Sequence, residues 1–440
     1  MMSLLPDELL WDILAHSVSH ENNFTTVKPP SERLYPLFPG HIALDDTAHH
    51  AERLAMWKDG SMVARNCVQV NRLWRCIAEE FLYSAFYFEE ELCAWKASCA
   101  EMFIDTIKLN PNLAGQLCTL TIMRCVRDLH DPFRQHFEQV LSLCHSITAI
   151  FVHSHLLEGS LPLFQSPESE WHLLLLSALE LRGEGFQDFM RNANHYANLQ
   201  VLELSSNMHS SNLQGIEAGA ETTAPITFPS LCTLLLGDLD LIALNVIEKW
   251  KLPSLKELGL YQHGDTRTSL YPMIQQAYKR LEFLDANVGT LHHLSFRKIT
   301  QAPPPHLKNL TLLMTTTHLL PPMHPATKPF FHYVVTLGIG NFTTIKKEDE
   351  PAWVQFFSDQ MYMPHLRSVL TDMTLELYSI HLEHPSSPVM EVLHSLEKVL
   401  SNRGVAFKGM MDDCLSFFLM RLHFFNETLS RSACPCFVID

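Results

Sequence analysis

The sequence predicts an α/β protein: a helical N-terminal segment, then a curved repeat array with a parallel sheet inside and helices outside. Two observations carry this. A short phrase (apolar, two residues, apolar, one residue, apolar) recurs nine times from Leu117 to Ile339, with a weaker tenth copy at Leu366-Val369-Thr371. Helix-like apolar spacing fills the intervals between many of the phrases. Strand then helix, repeated, gives parallel strands with helices outside. Units that cannot bury an apolar face alone stack into a solenoid.

The chain opens on Leu4-Leu5-Pro6-Asp7-Glu8-Leu9-Leu10-Trp11-Asp12-Ile13-Leu14. Pro6 suits a first helical position, where its missing N–H would have no partner. Asp7 and Glu8 set negative charge against the positive end of the helix dipole. Leu9 and Ile13 are four apart, as are Leu10 and Leu14, so they form one apolar stripe. A second piece, Cys67 to Tyr83, repeats the pattern. Val70, Leu73, Trp74 and Ile77 share a face, with Asn71, Arg72 and Arg75 off it. Helices this short are marginal alone. Each must bury its stripe against the other or against a partner protein.

These two pieces resemble the ends of an F-box. Leu5 to Leu14 fits the family's opening, and Val70-Asn71-Arg72-Leu73-Trp74-Arg75-Cys76-Ile77-Ala78 fits its closing helix. Glu80-Phe81-Leu82-Tyr83 is similar to the segment just after the box in fungal F-box proteins. The family joins the two ends by a shorter stretch than the Ala15 to Asn66 found here. That insertion holds Pro29, Pro30, Pro36, Pro39 and Gly40, which read in part as a surface loop. The bland alternative is an ordinary helical cap.

The chain has 440 residues, which suggests two or three domains or one elongated array. A net charge of −16, with no basic run, argues against nucleic acid and anionic membrane surfaces. Eleven cysteines, an odd number, follow a start without a charged secretory n-region. Reduced thiols in the cytoplasm or nucleus are therefore expected, with the Asn-x-Thr sequons at Asn23, Asn309, Asn341 and Asn426 unmodified. No apolar run reaches the roughly eighteen residues of a membrane span. Cys436 misses the prenylation frame.

The phrases begin at Leu117, Ile147, Leu176, Leu199, Leu231, Leu255, Leu281, Leu307, Val334 and Leu366. Their intervals are 30, 29, 23, 32, 24, 26, 26, 27 and 32 residues. They are similar to leucine-rich repeats, with a period of about 20 to 29 residues. Leu199 to Asn207 ends in that family's Asn, and Leu117 to Cys125 ends in its alternative Cys; most other copies lack both. Helical segments are expected at Phe133 to Leu141, Phe186 to Asn192, Leu241 to Trp250, Tyr271 to Tyr278 and Trp353 to Gln360. A generic doubly wound domain would not need nine or ten copies of one phrase.

Ile345-Lys346-Lys347-Glu348 matches the form of a sumoylation site, although four-residue matches are common by chance and a solvated loop is the simpler reading. Glu383 to Pro388 reads as a linker. Val389 to Asn402 is expected to be an amphipathic helix ending at Gly404. The expected organisation is an N-terminal segment at 1–90 (insertion 15–66), repeats at 91–385, a helical cap at 386–425 and a loose tail at 426–440.

Catalytic patterns are missing. There is no Walker loop and no Gly-x-Ser-x-Gly elbow. Gly183-Glu184-Gly185 and Gly338-Ile339-Gly340 lack a third glycine and read as turns. No Cys-x-x-Cys pair offers zinc spacing. His49-His50 and His292-His293 are neighbours and cannot share a face; His153-Ser154-His155 could, without a third ligand nearby. No metal, no cofactor and no enzymatic activity are expected.

The F-box resemblance implies docking to the Skp-type adaptor of a cullin ubiquitin ligase complex. It implies contacts through Leu5, Pro6, Leu9, Leu10, Ile13, Leu14, Val70, Trp74 and Ile77. The repeat array implies a second surface for a target protein. Alternate strand positions point away from the core. Glu180, Arg182, Glu203, Ser205, Glu257, Tyr261, Phe283, Asp285, Asn287, Asn309 and Thr311 are candidates, with the aromatics Tyr261 and Phe283 first. The alternatives are an adaptor-binding protein of a non-degradative assembly and a repeat scaffold without any ligase role.

Overall fold

A computed structural model describes residues 64–70, 72–88, 99–122, 132–153, 173–179, 189–190, 192–205, 226–237, 239, 241–261, 271–287, 304–315, 334–340, 347–358, 363–371 and 388–409. These fall into two compact units that divide between Leu231 and Cys232. Every described strand pairing within them is parallel.

The first unit begins with a short helical stretch, 64–68, and then α1 (Arg72–Ser84), which runs directly into β1 (Ala85–Phe88). Next come α2 (Cys99–Leu109), the single turn α3 (Pro111–Ala114), β2 (Thr119–Ile122), α4 (Pro132–Leu143), β3 (Ala149–His153), β4 (Leu175–Leu179) and β5 (Val201–Ser205). The strands pair in chain order. Phe86, Leu120, Ile150, Leu176 and Leu202 lie side by side across them, each no more than 1% exposed. This row is the spine of the unit's core. Phe103 of α2 stacks on Phe86 with ring centroids 4.1 Å apart, and Ile104 and Ile107 of α2 and Phe137 and Val140 of α4 are also buried. Two polar ties join α2 to α4. Lys108 Nζ donates to Gln139 Oε1 at 3.1 Å, and His136 lies 3.5 Å from Glu101.

The sheet starts at Ala85, inside the stretch assigned to the helical N-terminal segment. Tyr83-Phe86-Phe88 has the repeat phrase, but it directly continues a helix, which hid it. The Cys67 to Tyr83 piece is also not one helix. Residues Gln69 and Val70 form a turn, closed by Val70 N–H to the Cys67 carbonyl at 3.1 Å, before α1 begins at Arg72. Val70 therefore precedes α1 and is not on its face.

The third phrase is also re-registered. Leu176 pairs with both Ile150 and Leu202, so it is the middle apolar residue of its unit. The first is Leu173, which is fully buried. The intervals of 29 and 23 residues thus become 26 and 26 (Ile147, Leu173, Leu199). Backbone hydrogen bonds fix this phase. The carbonyl of the second residue of a phrase accepts two N–H groups from the next unit. Thr148 O accepts from Leu174 and Leu175 at 2.8 and 3.0 Å, and Leu174 O from Gln200 and Val201 at 2.8 and 3.0 Å.

The second unit holds β6 (Thr233–Gly237), α5 (Leu241–Ile247), β7 (Glu257–Tyr261), α6 (Tyr271–Ala277), β8 (Phe283–Asn287), β9 (Asn309–Thr315) and β10 (Val334–Gly340). Then come α7 (Glu350–Ser358), β11 (Ser368–Thr371), α8 (Pro388–Asn402) and β12 (Ala406–Gly409). Its core row starts as Leu234, Leu258 and Leu284, with Leu310 next in register. Between β9 and β10 the ladder slips at a bulge between Val334 and Thr336, so Leu337 faces Leu312 and continues to Val369 and Phe407.

Four phrase starts, one at the end of the first unit and three in the second, share a feature that apolar spacing alone does not display. Phe228-Pro229-Ser230-Leu231, Leu252-Pro253-Ser254-Leu255, Pro304-Pro305-His306-Leu307 and Met363-Pro364-His365-Leu366 each place a turn just before the phrase. Proline pre-sets φ for the second residue of such a turn. The residue before each proline is buried, which adds a core position three residues ahead of the phrase.

The C-terminal helix forms where expected. Pro388 opens α8 at a position that needs no N–H. Val392, Leu393, Leu396 and Leu400 are buried along one face. Gly404 takes φ 68° and ends the helix in a Schellman motif. Its N–H donates to Ser401 O at 2.9 Å, and Val405 N–H donates to Leu400 O at 2.9 Å. Val405 and Leu400 are both buried, as that motif favours. The chain then forms β12 against β11, so this segment ends in a strand as well as a helix. Residues 410–440, including the rest of the expected cap and the tail, lie outside the described residues.

Candidate protein-binding surfaces

The first surface is the one around α1. Ala78, Leu82 and Tyr83 are buried, which ties the helix to its own unit. Trp74 and Ile77 are half-buried, and Val70 is 60% exposed. Arg75 Nε donates to the Val68 carbonyl at 3.4 Å, holding the turn against the helix. Leu5, Pro6, Leu9, Leu10, Ile13 and Leu14, and residues 15–63 of the 15–66 insertion, lie outside the described residues.

The second surface is the sheet face away from the Leu row. In the second unit its first line is Thr233, Glu257, Phe283 and Asn309. Glu257 and Phe283 are half-buried, and Thr233 Oγ1 donates to Glu257 Oε2 at 2.9 Å. The next line is Leu235, Gly259, Asp285, Thr311, Thr336, Ser368 and Ala406. Thr336 and Ser368, both half-buried, share a hydrogen bond at 3.0 Å. Tyr261 follows Gly237 in register. Asn287 lies at the end of β8, beside Leu313.

In the first unit Glu203 stands on β5 beside Ser177 of β4 and is half-buried, whereas Ser205 is buried. Counting from the wrong phase of the third phrase gives Glu180 and Arg182. With Leu173 first, the alternate position within β4 is Ser177. Glu180 and Arg182 themselves fall outside the described residues.

Not every alternate position is open. Adjacent strand residues point to opposite faces. Yet Ile150 and Phe151 are 0% and 2% exposed, and Leu234 and Leu235 are 0% and 1% exposed. Thr119 and Thr121 are buried as well. These strands are covered on both faces, which is usual for parallel sheets.

A line of charges marks the strand starts of the second unit. Glu282 sits between Lys256, at 3.7 Å, and Lys308, which bonds it closely. The Lys308 ammonium, with help from Lys256, holds the Glu282 carboxyl below its ordinary value. Farther along, Lys347 pairs with Glu391 at the start of α8, which raises its ammonium pKa. Lys347 begins a 3₁₀ turn, Lys347–Asp349, that leads into α7. The last two residues of the sumoylation-like tetrapeptide are thus in that turn, and Lys346 lies outside the described residues.

Among the described residues no group of three His, Cys, Asp or Glu could hold a metal ion. Cys67, Cys118, Cys144 and Cys232 remain thiols. Burial pushes the Cys144 thiol up to about 12, which marks it as packing rather than a nucleophile. No described helix is long and apolar enough to cross a membrane.

No protein-family model matches the chain, and no curated protein matches it. A solved structure of a Bacteroides fragilis protein, a structural genomics target, aligns at 12% identity over 82% of this chain and 83% of that one, with a TM-score of 0.32.

Proposed function

We propose that the chain is a non-catalytic substrate-recognition adaptor. An F-box at its N-terminus docks a Skp-type adaptor of a cullin ubiquitin ligase. A leucine-rich-repeat solenoid holds a target protein for ubiquitylation. The observation that carries this reading is the state of α1. Its second half is locked into the first unit through Ala78, Leu82 and Tyr83, while Trp74 and Ile77 stay half-buried and Val70 is open just ahead of it. Apolar side chains left partly bare beside a rigid anchor are what a docking helix offers a groove. The direct continuation of α1 into β1 would hold the repeat array at a fixed offset from the docked partner.

The chemistry would be proximity. Holding a target beside an activated ubiquitin raises its effective concentration without bond making by this chain. Burial of Trp74 and its neighbours at about 25 cal/mol per Å² supplies the docking energy. In the second unit Glu257, Phe283, Tyr261, Asp285 and Asn287 would meet the target, with the half-buried Phe283 as the aromatic anchor; in the first unit Glu203 is the corresponding candidate.

A second reading is a repeat scaffold without a ligase role. The partial burial of Trp74 within the chain itself favours it.

The test is a pull-down of a Skp-type adaptor by the full chain and by the Pro6→Ala/Trp74→Ala variant. Capture by the parent chain alone supports docking. No capture by the folded parent chain sinks the adaptor reading and leaves the scaffold. If capture occurs, ubiquitylation of co-purified targets separates a degradative adaptor from a non-degradative assembly. Deletion of residues 1–90 is a poor control, because it removes β1 from the sheet.

A further inference from the structure

No further inference is drawn: the strongest candidate, the line of mostly short residues Gly259, Asp285, Thr311, Thr336, Ser368 and Ala406 across the second unit's sheet, belongs to the target-binding face already proposed, and nothing in the structure shows what covers it.

Discussion

Arg403 reaches back to Phe357: its Nη1 donates to the Phe357 carbonyl at 2.6 Å, near the C-terminal end of α7. Nη2 donates to Met363 O at 2.8 Å, just before the turn that starts β11. One guanidinium therefore joins the end of α7, the approach to β11 and the end of α8. Carbonyls at a helix end lack intrahelical partners, and a cation there also suits the helix dipole.

Arg403→Met should remove both bonds while keeping much of the apolar stem. Bonds with one charged partner contribute about 1.5–3 kcal/mol each, and partial exposure here reduces that. A loss of about 1–3 kcal/mol is expected, read as a lower urea midpoint for the second unit. Arg403→Lys should recover only part of it, since an ammonium does not reproduce the planar fork. An unchanged midpoint for Arg403→Met would remove this tie from the account.

Gly404→Ala tests the same corner through the backbone alone. An added Cβ meets nothing within 4 Å, so any effect comes from φ 68°. A left-handed residue with a Cβ costs roughly 1–2 kcal/mol. Gly404→Asn should cost less, because Asn tolerates that region. Equal losses for Ala and Asn would point away from a backbone cause.

Phe151 stands on the sheet face away from the Leu row yet is 2% exposed. Phe151→Ala should therefore behave as a core truncation and cost about 3–5 kcal/mol. A solvent-facing aromatic would cost within about 0.5 kcal/mol. The half-buried Phe283 should fall between these, and comparing the two variants by thermal denaturation ranks the face. A near-neutral Phe151→Ala would mean that this face is open.

Much of this architecture was legible because buried leucines repeat at near-constant intervals. The strands around Leu202, Leu234, Leu258 and Leu284 follow from that spacing alone. The helices α4, α5, α6, α7 and α8 follow from apolar periodicity. Three features were not read, each for a physical reason. The phase of the third phrase was ambiguous because Leu173, Leu174, Leu175, Leu176 and Leu179 offer several fits; hydrogen bonds from Leu174 and Leu175 to Thr148 settle it. The strand β1 hid behind a helix that runs into it without a turn signal. The two-sided burial was visible as the continuous apolar runs Ala149-Ile150-Phe151-Val152 and Leu234-Leu235-Leu236. Such runs belong to strands covered on both faces, so alternation alone overstated the accessible surface. The candidate site was legible less well. Glu257, Phe283 and Glu203 lie on described strands, whereas Glu180 and Arg182 lie outside the described residues.

Cys144 lies three residues ahead of Ile147, where other units place Phe228, Leu252 or Met363, and it is fully buried. With its thiol pushed up to about 12 by desolvation, it should be almost wholly protonated at pH 8. The thiolate is the species that reacts with maleimide. Native protein labelled at pH 8 and digested should show Cys144 unmodified, with full modification after unfolding in guanidinium. Rapid native labelling would mean that this part of the first unit opens readily.

The Lys256–Glu282–Lys308 line should leave a mark in acid. The Glu282 carboxyl is lowered in the folded state, chiefly by the hydrogen bond from Lys308. Its contribution is therefore present above the unfolded carboxylate range and lost as pH falls through the depressed folded value. All three groups are at the surface, so the effect is small and screened by salt. Glu282→Gln should lower stability slightly at neutral pH in low salt and flatten the acid side of the stability-against-pH curve, so that parent and variant meet below the depressed carboxyl value. In high salt the parent and variant curves should converge. Persistent divergence at high salt would show that Glu282 acts through packing or its backbone, not through the two lysines.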